Sequence, residues 1–304
     1  MRDDIKHEVV GKWIGIFQAL GIDVGDGRHC ACPICGGNDR FRFDNKEGNG
    51  TWICNQCGSG DGWSMLQKKL GIDFKQAIEE VKKIIGSVDA TAIPKEKKIK
   101  PEQLREMFAS ASRITKGDFV GAYLAGRGLS VFPQSLWAAK KCYELETMKE
   151  HPAMLGVMTT EDGQAVAVHR TYLTMDGVKA EINKVKKMSP GLKKITGSAV
   201  RLFAPKDGKI GLAEGIETAI ACAEMFGLPT WAATSAVFME GFIPPKGIKE
   251  VIVFGDNDAN FTGQKAAYTL ANRLIISGLA ATVMIPEKRG YDWLDELNDM
   301  KSKG

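Results

Sequence analysis

Long apolar runs are missing from this chain of 304 residues: no stretch approaches the roughly 18 consecutive apolar residues that a membrane-spanning helix needs. No membrane partner is expected. The opening Met1-Arg2-Asp3-Asp4 runs into a charged, amphipathic segment and lacks the apolar core of a secretion signal. Seven cysteines without such a signal do not make a disulfide framework, and four of them fall into two pairs of equal spacing, which points to metal. A reducing, cytoplasmic setting is expected. There is no repeat of fixed period, and no G-x-x-x-x-G-K-[ST] phosphate loop. A dominant sign of charge is lacking too: the formal net charge is +4, so the whole-chain balance selects no partner. What is present is a hydrophobic fraction of 44%, enough to fill the cores of two or three small domains.

The charge is unevenly placed. Between His169 and Arg201 eight Lys or Arg face two acids, whereas residues 209–304 carry nine against twelve. A basic segment thus precedes an acidic one. Apolar spacing predicts a helix over 5–20 and another over 63–85. Residues 87–101, which include Pro94 and Pro101 and are rich in lysine, read as an exposed linker, with the lysines at 95–100 solvating it. Strand-like runs at 210–213, 230–233, 251–254 and 281–285 alternate with helical patterns near 216–226 and 262–277. That alternation predicts a parallel sheet flanked by helices, with ligands bound beyond the carboxyl ends of its strands.

Two C-x-x-C pairs, Cys32/Cys35 and Cys54/Cys57, stand 18 residues apart, the spacing of a four-cysteine zinc ribbon. A two-residue gap lets both thiolates of a turn face one ion, and the glycine after each pair, Gly36 or Gly58, permits the positive φ that the turn needs. One structural Zn²⁺ is expected, supplying folding energy that so small a segment lacks. Cys30 and His29 are second-choice ligands. Arg40-Phe41-Arg42-Phe43 alternates as a strand, with both arginines on one face, Lys46 to Gly50 as the hairpin turn and Trp52 on the return strand. The arginine face suits contact with DNA, or equally a solvated pair above a Phe/Trp mini-core.

Glu214 follows the first strand of the acidic segment, and Asp256 and Asp258 follow the third. If those strands are neighbours, three carboxylates converge, an oxygen cluster suited to Mg²⁺ or Mn²⁺ and to metal-assisted phosphoryl transfer. Glu214 could be ligand or general base. Capping of the next helix accounts for Glu217, but poorly for a D-x-D pair. Asp292 and Asp295 fit a plain helix start. Five of the eleven residues from Lys184 to Lys194 are lysines (Lys184, Lys186, Lys187, Lys193 and Lys194), a run suited to phosphate contact. Arg170 and Arg201 bracket it.

These residues resemble the Toprim fold of bacterial-type primases, type IA and II topoisomerases and some nucleases, with Glu214, Asp256 and Asp258 at its hallmark positions. Arg28-His29 followed by Cys32-Pro33-Ile34-Cys35-Gly36-Gly37-Asn38-Asp39-Arg40-Phe41-Arg42-Phe43, and the stretch Gly50 to Gly62, are similar to the ribbon of phage and phage-satellite primases and primase–helicases. Tyr123-Leu124-Ala125-Gly126-Arg127-Gly128-Leu129 and Val168-His169-Arg170-Thr171-Tyr172-Leu173 extend the likeness along the chain.

The resemblance implies an α/β Toprim domain with a four-stranded, mainly parallel sheet at 206–304. It implies a small β zinc ribbon at 1–68, a helix and linker at 69–100, and an α+β basic part of the primase core at 101–205. It implies a DNA primase, a DNA-directed RNA polymerase and nucleotidyltransferase. Such an enzyme makes short RNA primers on single-stranded DNA from ribonucleoside triphosphates, in the replication of a phage, prophage or mobile element within a bacterial cell. Catalysis and Mg²⁺ or Mn²⁺ then fall to Glu214, Asp256 and Asp258. Zinc falls to Cys32, Cys35, Cys54 and Cys57. Nucleic acid or nucleotide falls to Arg40, Arg42, Arg170, Lys184, Lys186, Lys187, Lys193 and Lys194. The missing phosphate loop implies a separately encoded helicase. A Toprim nuclease is disfavoured by the ribbon, and a non-catalytic DNA-binding replication protein by the intact acids. A topoisomerase is disfavoured by five tyrosines without telling context and a chain too short for a DNA gate.

Overall fold

The computed structural model describes residues 2–88, 101–192 and 195–303. Two compact units divide the chain, Met1–Glu96 and Lys97–Gly304.

In the first unit, helices α1 (Arg2–Glu8) and α2 (Trp13–Ala19) precede strands β1 (Cys30–Cys32), β2 (Gly36–Phe43), β3 (Trp52–Cys54) and β4 (Gly58–Gly60), then α3 (Gly62–Leu70) and α4 (Phe74–Ile84). The strands form one antiparallel sheet in sequence order. Each long helix expected from the sequence is two. The first breaks at the turn through Gly11, whose N–H bonds the Gly48 carbonyl. The second breaks because Asp73 and Gln76 form a capping box that starts α4 afresh. Phe41, Phe43 and Trp52 are buried with Trp13, Phe17 and Leu66, so the mini-core under the ribbon is shared with the helices.

The second unit opens with α5 (Pro101–Phe108), β5 (Ala111–Arg113) and α6 (Phe119–Gly126). There follow β6 (Trp137–Glu144), β7 (Lys149–Thr159), β8 (Ala165–Tyr172), β9 (Lys186–Met188) and β10 (Ala199–Val200). The chain ends in β11 (Lys209–Ala213), α7 (Ile216–Phe226), β12 (Thr230–Ala232), α8 (Ala236–Gly241), β13 (Glu250–Phe254), α9 (Thr262–Ile276), β14 (Ala280–Met284) and α10 (Trp293–Lys303). Strands β14, β13, β11 and β12 lie in that order, all parallel, as the alternating pattern implies. The two-residue β10 pairs antiparallel with β12 on one side and β7 on the other. It thereby splices the antiparallel β5–β9 region onto the parallel sheet. One core spans the splice, with Leu124, Met154 and Val166 packed with Ile216, Phe254 and Leu294. The sheet therefore runs through the sequence boundary at 205/206. No helix among the described residues is long and apolar enough to cross a membrane.

Candidate metal centres

Cys32 closes β1, Cys54 closes β3, and Cys35 and Cys57 sit in the turns that follow. Their sulfurs gather within 4.8 Å of one another. The Cys32–Cys57 and Cys35–Cys54 Sγ pairs stand 3.9 and 3.8 Å apart. A tetrahedral zinc shell at its usual bond length sets sulfurs about 3.8 Å apart, the spacing those two pairs already have, so the donor set suits the ion. Gly36 and Gly58 adopt φ +71° and +82°, as the turns require. The N–H of Ile34 donates to the Cys32 sulfur, and those of Gln56 and Cys57 to the Cys54 sulfur, each at 3.4 Å. Burial pushes the Cys57 thiol up, and the neighbouring sulfurs push it further. Four thiols this close ionise together only around a cation. His29 and Cys30 stay outside the group, with the His29 ring against the Asp39 carbonyl at 3.0 Å.

Arg40 and Arg42 are half-buried on the ribbon. The first donates to the Gln56 amide oxygen and the second lies 3.7 Å from Asp44. Beneath them, Phe41 and Trp52 stack with centroids 6.0 Å apart.

The carboxylates meet because β11 and β13 are hydrogen-bonded neighbours, with Ala213 opposite Phe254. Glu214 and Asp256 leave the same end of the sheet. Burial pushes Glu214 up, Asp258 adds to this, and Lys186 and the Ala236 N–H pull it back, for a net pKa of about 7. Burial likewise pushes Asp256 up, joined by the charges of Glu214, Asp292, Asp258 and Asp295, to about 8. Its Oδ1 is buried without a hydrogen-bond partner. Asp258 Oδ2 accepts from the Gly263 N–H at 2.8 Å, so one carboxylate of the pair does cap α9. Gly263 must be glycine here: a Cβ would lie 2.6 Å from the Asp256 carbonyl oxygen.

Asn257 anchors the same loop, donating from its amide nitrogen to the Pro286 carbonyl at 2.8 Å. Asp292 starts α10 by accepting from Leu294 and Asp295 N–H groups, as the plain reading expects, and also faces Asp256 electrostatically. Among the described residues only the four cysteines form a group of ligand atoms within 4.8 Å; the acids converge without closing to that distance. Carboxylates with raised proton affinity and an orphaned buried oxygen suit a divalent cation with oxygen ligands.

The basic candidates separate. Lys186 bonds the Glu217 carboxylate at 2.8 Å and its charge reaches Glu214, so it stands beside the acids. Lys187, next on β9, turns to the opposite face and pairs with buried Glu144 at 2.6 Å. Lys184 is half-buried. Arg170, expected at a ligand, is buried instead: it donates to the Met188 carbonyl and lies over the Tyr172 ring, bracing β9 against β8. Arg201 likewise bonds the Thr160 and Glu161 carbonyls. Lys193, Lys194 and the linker lysines lie outside the described residues.

Three features escaped the sequence reading. Glu217 is no exposed cap but a buried carboxylate. Tyr123, within the quoted Tyr123–Leu129 motif, donates to it. His169 is buried, with its Nδ1 unpartnered.

Residues 27–63 match the family described as the zinc-binding domain of primase-helicase. Residues 209–302 match the Toprim domain, and residues 98–202 match a domain family of unknown function, DUF7146. Among solved structures, the chain is similar to the primase fragment of the bacteriophage T7 primase–helicase, at 15% identity over 91% of this chain and 96% of that one, TM-score 0.42. It is similar also to the Aquifex aeolicus primase zinc-binding and RNA polymerase domains, at 14% identity over 99% and 82%, TM-score 0.42. A DNA primase domain from Pseudomonas aeruginosa matches at 15% identity over 58% and 66%, TM-score 0.40. A primase-type zinc ribbon and a Toprim domain thus stand in one chain, the make-up of a primase-type enzyme.

Proposed function

We propose that this chain synthesises short RNA primers on single-stranded DNA from ribonucleoside triphosphates, in the replication of a phage, prophage or other mobile element. The observation that carries the reading is the meeting of Glu214, Asp256 and Asp258 at the ends of two adjacent parallel strands, in a chain that also bears a primase-type ribbon.

Cys32, Cys35, Cys54 and Cys57 would hold one structural Zn²⁺, and Glu214, Asp256 and Asp258 would hold Mg²⁺ or Mn²⁺. A divalent metal bound there supplies the charge that clamps a triphosphate and activates a 3′-hydroxyl. Asp256 and Glu214 keep raised proton affinity, so at neutral pH a share of each stays protonated until a cation displaces the proton. Glu214 is either a ligand of that metal or, with proton affinity raised by burial, the group that takes the proton from the attacking hydroxyl. Lys186, beside Glu214, offers its ammonium to the phosphates of the incoming nucleotide. Arg40 and Arg42 on the ribbon would contact the template backbone in a salt-sensitive way, and Lys184 in the second unit would offer a separate phosphate contact. A replicative helicase would deliver that template. The mobile-element setting rests on the likeness of the ribbon motifs to those of phage and phage-satellite primases.

The test is ribonucleotide incorporation on single-stranded DNA with Mg²⁺ or Mn²⁺, comparing wild type with Asp256→Asn. Short products that vanish in the variant support the reading. Shortening of the template instead would transfer the same carboxylates to a nuclease. Template binding without synthesis or cleavage would favour a binding protein.

A further inference from the structure

Glu217 stands on the first turn of α7, where an exposed acid would complement the helix dipole. Its side chain does something else. It is 5% exposed, and each carboxylate oxygen is taken by a side chain from a different element. The Tyr123 hydroxyl on α6 donates to Oε1 at 2.6 Å, and the Lys186 ammonium on β9 donates to Oε2 at 2.8 Å. Helix capping needs neither, since both partners are remote in sequence. Burial pushes the Glu217 carboxyl up, but Lys186 and Tyr123 reverse this and hold it down near 2, so it stays ionised.

The lysine is placed differently from the acid it binds. Its side chain is 43% exposed, and its charge bears on Glu214 across the site. Glu217 is its one ion-pair partner among the described residues and takes one of the three N–H donors of the ammonium. A lysine stem is flexible, and an untethered ammonium whose charge already reaches Glu214 would fold onto that carboxylate. Lys187, its neighbour on β9, shows the contrast: with Glu144 and Glu146 on either side it is largely buried on the other face.

We propose that Glu217, itself fixed by Tyr123, is a positioning residue that holds the Lys186 ammonium at the rim of the carboxylate site, aimed at the triphosphate of the incoming nucleotide. The inference rests on the primase reading, which assigns a nucleotide to this site. It adds the buried relay from α6 through α7 to β9, which sets where the positive charge stands before nucleotide arrives.

The test uses the full chain and two readouts: KM for ribonucleotide in primer synthesis, and equilibrium binding of Mg²⁺-ATP. Glu217→Gln keeps the shape of the side chain and removes its charge. It should raise both KM and Kd roughly tenfold, as loss of a charge-assisted tether would. Tyr123→Phe should shift both in the same direction by about two- to threefold. In a Lys186→Gln background, Glu217→Gln should add nothing, because it acts through the lysine.

A purely structural ion pair predicts otherwise. The melting temperature of Glu217→Gln would fall while KM and Kd of the folded protein stayed at wild-type values, and that result overturns the inference. So do effects of Glu217→Gln and Lys186→Gln that simply multiply. If Glu217→Gln fails to fold, Tyr123→Phe, which removes one hydroxyl, decides by the same readouts. A wild type that binds Mg²⁺-ATP but makes no primer sinks the primase reading alone, and the inference then stands or falls on Kd. A wild type that binds no nucleotide overturns both.

Discussion

A carboxylate with a pKa near 8 is an uncomfortable group at neutral pH, and Asp256 is held in that state by burial and four neighbouring acids. Replacing it with asparagine removes the repulsion while keeping the shape. Asp256→Asn should therefore leave the melting temperature of metal-free protein unchanged or raised, and should reduce primer synthesis by about two to three orders of magnitude. Thermal melts in chelator, alongside incorporation assays, check both halves; full activity in the variant would remove Asp256 from the site. His169 makes a second residue-scale case. Burial, helped by Lys186 and Arg170 and opposed by Glu217, lowers its pKa to about 4. The unfolded ring protonates near 6.5, so the stability that the neutral buried ring contributes is complete above that value. It is lost progressively as pH falls towards 4, by on the order of 3 kcal/mol in all. Urea unfolding at about pH 7.5 and about pH 5 should show the wild type losing more than His169→Phe. Parallel losses would clear His169 of the effect.

At the scale of elements, the D-x-D loop depends on how closely α9 approaches the end of β13. Gly263 permits that approach and donates its N–H to the capping Asp258 carboxylate. Gly263→Ala should push the loop away, lowering stability by about 2 kcal/mol and cutting synthesis without touching a carboxylate; melts and initial rates measure the two effects. The four parallel strands and helices α7 and α9 were legible in the sequence because short apolar runs alternate there with helical spacing; the six-residue α8 was too short to show. The cysteine ligands were legible because their spacing alone dictates the geometry. Helix breaks were not, since the apolar spacing continues past Gly71, although Gly71 ends α3 in a left-handed conformation and the Asp73–Gln76 capping box starts α4. The burial of Arg170 and Glu217 was not legible for a common reason. A charged residue announces its charge but not its burial, and the partners that bury these two come from elements distant in sequence.

Over the whole molecule, the two units should respond to different agents. Elemental analysis of protein purified without chelators should find one zinc per chain. Chelation should abolish the calorimetric transition of the first unit and spare that of the second; a single transition that shifts as a whole would contradict this. The second unit poses a sharper question, because the basic region and the Toprim strands share one sheet and one core. Cutting at 205/206 would strip β12 of its partner β10 and leave Ile216, Phe254 and Leu294 without Leu124, Met154 and Val166. Uncovered apolar surface of that extent and a bare sheet edge both favour aggregation. Residues 206–304 expressed alone should therefore be insoluble or lack near-UV circular dichroism, while residues 101–304 should fold cooperatively with a native-like near-UV spectrum. A well-folded 206–304 fragment would mean that β10 merely touches the parallel sheet. Failure of 206–304 together with success of 101–304 would mean that the acids and Lys186 belong to one cooperative body, as a site built from both halves requires.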